Sequence, residues 1–243
     1  MKLLMIDTST IVATAAVVDE NRLIAETIVN YKKKHSEKML PAIDHLFQDS
    51  GMKLSDMDAF GVVNGPGSFT GLRIGMATVK GFAQALEKPI VTVSTLESLA
   101  YNACVYPHYI CPVIDAQRGQ VYAALYRFEG NTTNPTLTSY LSEGVYDIDT
   151  LIEEIKAKNE KEEPVLFLGD GLKKHGRQLS EISPKIQLMP AYFAMNRASS
   201  AAAAGYQKLS KGETVNYFQA GLNYLRKSSA EEQMEKKQGK IDA

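Results

Sequence analysis

Asn64-Gly65-Pro66-Gly67-Ser68-Phe69-Thr70-Gly71-Leu72-Arg73-Ile74-Gly75 is the stretch whose reading decides the fold. A short apolar run before it (Phe60, Val62, Val63) reads as a buried strand. Leu72 to Leu86 after it carries apolar or small residues at helical spacing. Strand, glycine-rich turn and helix together suggest a phosphate cradle. The usual cradles fail on chemistry. A P-loop sets Lys and then Ser or Thr after its last glycine, to reach the terminal phosphates and the metal; here Gly71 is followed by Leu72 and Arg73. A dinucleotide fingerprint needs G-x-G-x-x-G, and the sixth position is Thr70.

The glycines have other uses. Gly65 and Gly67 flank Pro66, which suits a tight turn with unusual backbone angles. Ser68 or Thr70 can cap the helix start, where the first N–H groups lack partners. Gly71 and Gly75 then share a helical face, and Gly81 comes later. Each interior glycine costs about 0.5–1 kcal/mol relative to alanine, so the three call for a backbone packed very close. Ala77, Thr78 and Ala83 continue the small-residue surface. Two packings satisfy this: helix on sheet within the chain, or helix against another molecule.

Composition bounds the function. A chain of 243 residues can bury a substantial core as one large or two smaller domains. Its 27 Lys and Arg against 28 Asp and Glu leave a formal charge of −1, without a global footprint for nucleic acid. Cys104 and Cys111 lack metal-ligand spacing and fit a reducing compartment. The run from Met1 to Asp7 is too short for a signal peptide or a membrane span, and no later run approaches that length. A soluble, cytoplasmic protein is expected.

Lys2 to Ile6 reads as a central strand ending at Asp7-Thr8-Ser9-Thr10. Ala13 to Val18 and Leu23 to Val29 follow as hairpin strands around the turn Asp19-Glu20-Asn21-Arg22. A helix capped by Ser36 places Met39, Leu40, Ile43, Leu46 and Phe47 on one face, with Pro41 bending its first turns. After the central motif come a strand at Ile90–Val93, a short helix from Thr95 to Cys104 and a linker at Tyr106-Pro107-His108. Then the pattern returns. With Ile114-Asp115 set under Ile6-Asp7, the next ten residues align without a gap, and Ala123-Ala124 fall under Ala15-Ala16.

The second half carries a strand over Val121 to Phe128 and a polar loop over Glu129 to Thr138. A helix from Asp149 to Lys158 precedes a strand, Val165 to Leu168, that ends at Gly169-Asp170-Gly171. A helix Leu172 to Ile182 and a strand Ile186 to Met189 come next, then an alanine-rich helix, Arg197 to Leu209, capped by Asn196. The tail after Arg226 is charged and polar. The expected class is α/β, with two domains of related topology, one over 1–105 and one over 106–226, and a polar tail over 227–243.

Asp7 and Asp115 each end a strand at a turn, where an actin-like ATPase holds its metal–nucleotide water shell. The first loop, with Thr8 and Ser9, has hydroxyls but no glycine; the second, Asp115-Ala116-Gln117-Arg118-Gly119-Gln120, offers Arg118 and one glycine. These five residues, Asp7, Thr8, Ser9, Asp115 and Arg118, are either nucleotide-facing or structural turn residues. None of the four histidines, His35, His45, His108 and His175, forms an H-x-x-x-H pair or pairs with a nearby cysteine in a metal-ligand pattern, so no metal site is expected. Ser68 stands in G-P-G-S-F rather than G-x-S-x-G and has no partner base.

Gly65 to Gly75, with Ile6-Asp7-Thr8-Ser9, His35-Ser36-Glu37, Asp115 to Tyr122 and Tyr224-Leu225-Arg226, resembles the signatures of the bacterial TsaB (YeaZ) family, in order and over nearly the whole chain. The resemblance implies two actin-like (ASKHA, ribonuclease H-like) domains. It implies a part in making N6-threonylcarbamoyladenosine beside the anticodon of tRNA, as a non-catalytic partner of the paralogue TsaD. TsaD binds its metal through a histidine pair, and Thr95-Leu96-Glu97-Ser98-Leu99-Ala100 here has none. An older label, peptidase M22, finds no metal ligands or nucleophile in this chain.

Pairing through the N-terminal domain is implied too, as a homodimer in isolation or with TsaD. This favours the intermolecular packing for Gly67, Ser68, Phe69, Thr70, Gly71, Arg73, Ile74, Gly75 and Thr78. TsaE is expected to join the assembled pair, and tRNA to be met through the complex. No cofactor is expected to be held tightly; ADP or ATP is placed, as a hypothesis, at the junction with TsaD. An actin-like small-molecule kinase using Asp7 and Asp115 is the alternative. One departure from the family pattern, Ala220 to Asn223 where a proline often precedes Tyr-Leu-Arg, bears on the path of the C-terminus.

Overall fold

The computed structural model of the protein describes residues 1–20, 22–30, 35–130 and 135–226, without the side chains of 35–38. The cap expected at Ser36 and the tail over 227–243 therefore lie outside the described residues.

The first sheet is built on β1 (Leu3–Asp7), buried along its whole length. Antiparallel β2 (Ala13–Val18) and β3 (Leu23–Val29) flank it on one side. On the other lie parallel β4 (Ala59–Val63) and β5 (Ile90–Val93), giving the order β3-β2-β1-β4-β5. Alternation along β1 feeds two cores. Leu4 and Ile6 pack under α1 (His35–Ser50) and α2 (Phe69–Leu86), while Leu3 and Met5 meet the opposite layer. Each of these four side chains is fully buried and contributes about 2 kcal/mol by leaving water.

The second sheet repeats this plan. β6 (Tyr109–Asp115) takes the place of β1, β7 (Gln120–Glu129) pairs antiparallel with it, β8 (Thr136–Asp147) pairs antiparallel with β7, and β9 (Val165–Leu168) and β10 (Ile186–Leu188) run parallel to β6. Its order, β8-β7-β6-β9-β10, is that of the first sheet. α4 (Ile148–Lys158) and α5 (Leu172–Ile182) line its outer face. The doubling expected from Ile6-Asp7 and Ile114-Asp115 is therefore a repeat of topology.

Two helices lie between the sheets, and they are exchanged. α3 (Thr95–Ala100), from the first half, buries Leu96, Leu99 and Ala100 against Ile110, Ile114 and Leu166 of the second sheet. α6 (Ala198–Ser210), from the second half, buries Ala201, Ala202 and Ala204 against Leu3, Met5 and Val91 of the first. Residues 214–226 return to the first sheet as well: Val215 pairs with Ile90, and Ala220 is buried in the α1–α2 core. The change of sheet falls between β5 and β6, while the packing of α3, α6 and residues 214–226 crosses it.

Three other expectations differ. Thr136 to Thr138, expected in the polar loop, open the long strand β8, which carries no clean polar–apolar alternation in burial and was not marked by the sequence pattern. Leu40 is 53% exposed, off the buried stripe of α1. Asn196 does not cap α6. The amide of Ala198 donates to Thr14 Oγ1 (3.2 Å), and that of Ser199 to Glu26 Oε1 (2.9 Å). Glu26, its side chain 7% exposed, also accepts from Arg197 Nη2 (2.6 Å). Strands β2 and β3 therefore supply the carboxylate and hydroxyl that the helix start needs.

Candidate docking face and the turn beneath it

The turn between β4 and α2 is shaped by what it touches. Gly65, at φ +120°, brings its Cα so near Asn223 that a Cβ would stand 2.5 Å from the Asn223 carbonyl oxygen. Gly67, at φ +155°, is pressed against the carbonyl of Ser9, which no larger residue would permit. The Ser68 amide donates to that same Ser9 carbonyl (2.6 Å), and Ser68 Oγ accepts from the Gly71 amide (3.3 Å), capping α2.

Gly71 and Gly75 are turned into the fold. A Cβ on Gly71 would collide with the Thr8 carbonyl oxygen, and one on Gly75 would stand 2.5 Å from Thr8 Oγ1. Thr8 Oγ1 donates to the Gly71 carbonyl (2.7 Å), locking helix to turn. The backbone that these two glycines admit is the chain's own turn after β1. Their expected part in an intermolecular ridge is corrected on that ground: both are buried, and neither offers a surface.

Asp7 is fully buried. Its Oδ1 accepts from the Ser9 amide (2.8 Å) and Ser9 Oγ (2.6 Å), and its Oδ2 from Asn196 Nδ2 (2.8 Å). Asn196 Oδ1 in turn accepts from Thr10 Oγ1 (3.0 Å). The carboxylate is consumed by its own chain, with Gly67 and Ser68 seated on the loop that follows. The residues set apart in sequence as nucleotide-facing (Asp7, Thr8, Ser9) and as partner-facing (Gly67, Ser68, Gly71, Gly75) are two sides of one internal contact.

The second turn is more open. Asp115 is half-buried; its Oδ1 accepts from the Gln117 amide (2.9 Å) and Lys174 Nζ (3.5 Å). Arg118 is exposed at the tip, with φ +56°. Asp170 accepts from the Asp115 amide (3.2 Å), and burial raises its carboxyl above the ordinary 3.8. An opening of about 230 Å³ between the lobes is bordered by Thr10, Asn30, Asp170, Lys173, Met189 and Asn196. Among the described residues no group of His, Cys, Asp and Glu could hold a metal ion, and no helix is long and apolar enough to cross a membrane.

What α2 does offer is its other side. Thr70, Arg73, Ala77 and Gly81 are exposed, with Ile74 and Thr78 half-buried beside them. Gly81 has nothing within 4 Å of where a Cβ would be. At its start Phe69 stacks on Tyr224 (centroids 5.2 Å apart), and the Arg73 guanidinium lies 3.8 Å from the Phe69 centroid. Tyr224 therefore joins this face from 155 residues beyond Phe69, on a segment whose Arg226 reaches across to the Ala116 carbonyl (2.9 Å) and Gln120 Oε1 (2.9 Å) of the second lobe. The motif Tyr224-Leu225-Arg226 was legible; Asn196, 189 residues from Asp7, carried no local signal.

Two sheets of one topology, each ending its first strand in an aspartate turn, with exchanged helices between them, define a two-lobed α/β protein of the actin-like, ribonuclease H-like class. The family model described as "TsaD: tRNA N6-adenosine threonylcarbamoyltransferase" matches residues 22–234. The chain is 37% identical over 183 residues to the "tRNA threonylcarbamoyladenosine biosynthesis protein TsaB" of Bacillus subtilis, covering 75% of this chain and 76% of that one. To the Escherichia coli protein of the same name it is 34% identical over 133 residues, 54% and 57% of the two chains. The solved "YeaZ from Pseudomonas aeruginosa" is similar in structure, with a TM-score of 0.74, 25% identity, and coverage of 92% of this chain and 99% of that one. The chain belongs to the TsaB (YeaZ) family.

Proposed function

We propose that this chain is the non-catalytic docking subunit of the complex that transfers a threonylcarbamoyl group to N6 of the tRNA adenosine beside the anticodon. It docks through the exposed side of α2 on the catalytic paralogue TsaD and holds that subunit's active site in a competent arrangement. TsaE joins the assembled pair, tRNA is met through the complex in the cytoplasm, and the chain pairs with itself when alone. ADP or ATP binds at the junction with TsaD and only weakly to this chain.

The observation that carries the reading is the turn Gly65–Ser68 seated on the Ser9 carbonyl, with the Asp7 carboxylate taken up by Ser9 and Asn196. An aspartate so engaged has no room to organise the water shell of a metal–nucleotide, whereas the outer side of α2 stands open. The names of the relatives supply the pathway.

The test is reconstitution of tRNA modification from TsaD, TsaE and the threonylcarbamoyl-adenylate donor, with and without this chain. Modified adenosine is expected at background level when the chain is omitted and when it acts alone. Modification by this chain unaided, or undiminished output without it, refutes the proposal. Titration of the isolated chain with Mg-ATP separates it from a kinase, which would bind and turn over.

A further inference from the structure

The exposed side of α2 carries charge of one sign. Between Phe69 and Leu86 the helix holds Arg73 and Lys80 and no acidic residue. Among the described residues neither has an ion-pair partner. The first acid along the chain beyond the helix is its C-cap Glu87. At about 1.5 Å per residue it lies about 21 Å from Arg73, well past the Debye length of about 8 Å, and about 10 Å from Lys80, so Arg73 is the cation left unscreened by it.

Arg73 is also held in place. Its guanidinium lies 3.8 Å from the Phe69 centroid, its Nε donates to Tyr224 Oη (3.3 Å), and Tyr224 stacks on Phe69. A long cationic side chain fixed before its partner arrives gives up little rotamer freedom on binding. The planar fork of a guanidinium suits a carboxylate, which it meets through two parallel hydrogen bonds.

We infer that this face selects a partner bearing carboxylates over a second copy of this chain, and that Arg73 is the residue making the choice; this rests on the docking reading above. A two-fold pair brings the same patch of both copies together. With the axis at Ala77, midway between the exposed Arg73 and Gly81, an antiparallel crossing sets Arg73 of one copy beside Lys80 and Gly81 of the other. A parallel crossing sets Arg73 against Arg73. Either way like charges meet without an acid from either helix, a juxtaposition that suppresses the wrong partner. A carboxylate-bearing surface meets the same cations with attraction. Salt therefore acts in opposite senses on the two pairings.

The experiment compares self-association, by sedimentation, with affinity for the threonylcarbamoyltransferase paralogue, by calorimetry, at about 50 and about 500 mM salt. The wild type, Arg73→Gln and Gly81→Arg are each confirmed as folded by circular dichroism. Added salt is expected to weaken the mixed pair about tenfold and to leave the self-pair unchanged or stronger. Arg73→Gln is expected to do the same at low salt, and Gly81→Arg, which puts bulk into open space, to abolish both pairings. If salt and Arg73→Gln leave the mixed affinity within about twofold while Gly81→Arg abolishes it, charge selection is overturned and the docking reading stands. If Gly81→Arg leaves the mixed pair intact, both fall.

Discussion

Gly71→Ala tests whether α2 is seated on the turn after β1. In an unobstructed helix the change stabilises by about 0.5–1 kcal/mol. At Gly71 the new methyl meets the Thr8 carbonyl oxygen closer than the 3.0 Å below which something must shift. That oxygen is backbone, in a turn held by the Ser9–Asp7 bonds and by the Ser68 amide on the Ser9 carbonyl. The helix must lift, which stretches the buried Thr8 Oγ1 to Gly71 carbonyl bond from 2.7 Å. Overpacking costs about 1–3 kcal/mol and the lost hydrogen bond about 1 kcal/mol, so about 2 kcal/mol remains after the helix gain. At about 2–4 °C per kcal/mol for a chain of this size, Tm falls by roughly 4–8 °C. Gly81→Ala, on the same helix in open space, keeps the gain and raises Tm by about 1–4 °C. Thermal and urea unfolding followed by circular dichroism reads both. A Gly71→Ala protein as stable as wild type would falsify the packing argument, because propensity alone predicts the opposite sign.

Other perturbations probe neighbouring contacts. Glu26→Gln removes the charge that accepts from Arg197 and Ser199, and is expected to cost about 1.5–3 kcal/mol in urea unfolding; a loss under about 0.5 kcal/mol contradicts its role at the start of α6. Asp7→Asn disturbs the Ser9 and Asn196 bonds and is expected to lower stability by about 2 kcal/mol, with tRNA modification in the reconstituted complex falling only in step with the folded fraction. A disproportionate loss of modification in a stable Asp7→Asn protein indicates a reacting or nucleotide-facing aspartate instead. Burial raises Asp170, so the folded state holds its proton more tightly than the unfolded chain. Its contribution is fully present below 3.8 and is lost as pH rises through the raised value. Asp170→Asn, which still accepts from the Asp115 amide, is expected to exceed wild type in urea midpoint near about pH 7, with the difference closing on acidification; a pH-independent difference refutes the assignment.

How far these contacts could be read from sequence depends on their span. Strand and helix periods are local, so β5, β9 and α5 have the ends that their apolar runs announced, and the repeat of Ile6-Asp7 at Ile114-Asp115 reported a repeat of topology. The exchange of α3 and α6 between sheets was not legible, because each apolar face fits either sheet and only the closed fold assigns it. The same limit governed the glycines. Gly71 and Gly75 announce that a backbone lies close, and nothing in the pattern says whose. The family resemblance, which implies pairing through this domain, drew the choice outward, and the helix has two sides. Its inner side holds the glycines against Thr8; its outer side carries Arg73, Ala77 and Gly81. The proposed docking side and the glycine side are thus opposite faces of one helix. This arrangement has a mechanical consequence. Whatever presses on the outer face bears, through Gly71 and Ser68, on the turn that encloses Asp7, and through Phe69 and Tyr224 on the segment by which Arg226 grips the second lobe. The proposed docking face and the contacts that set the two lobes therefore share one helix.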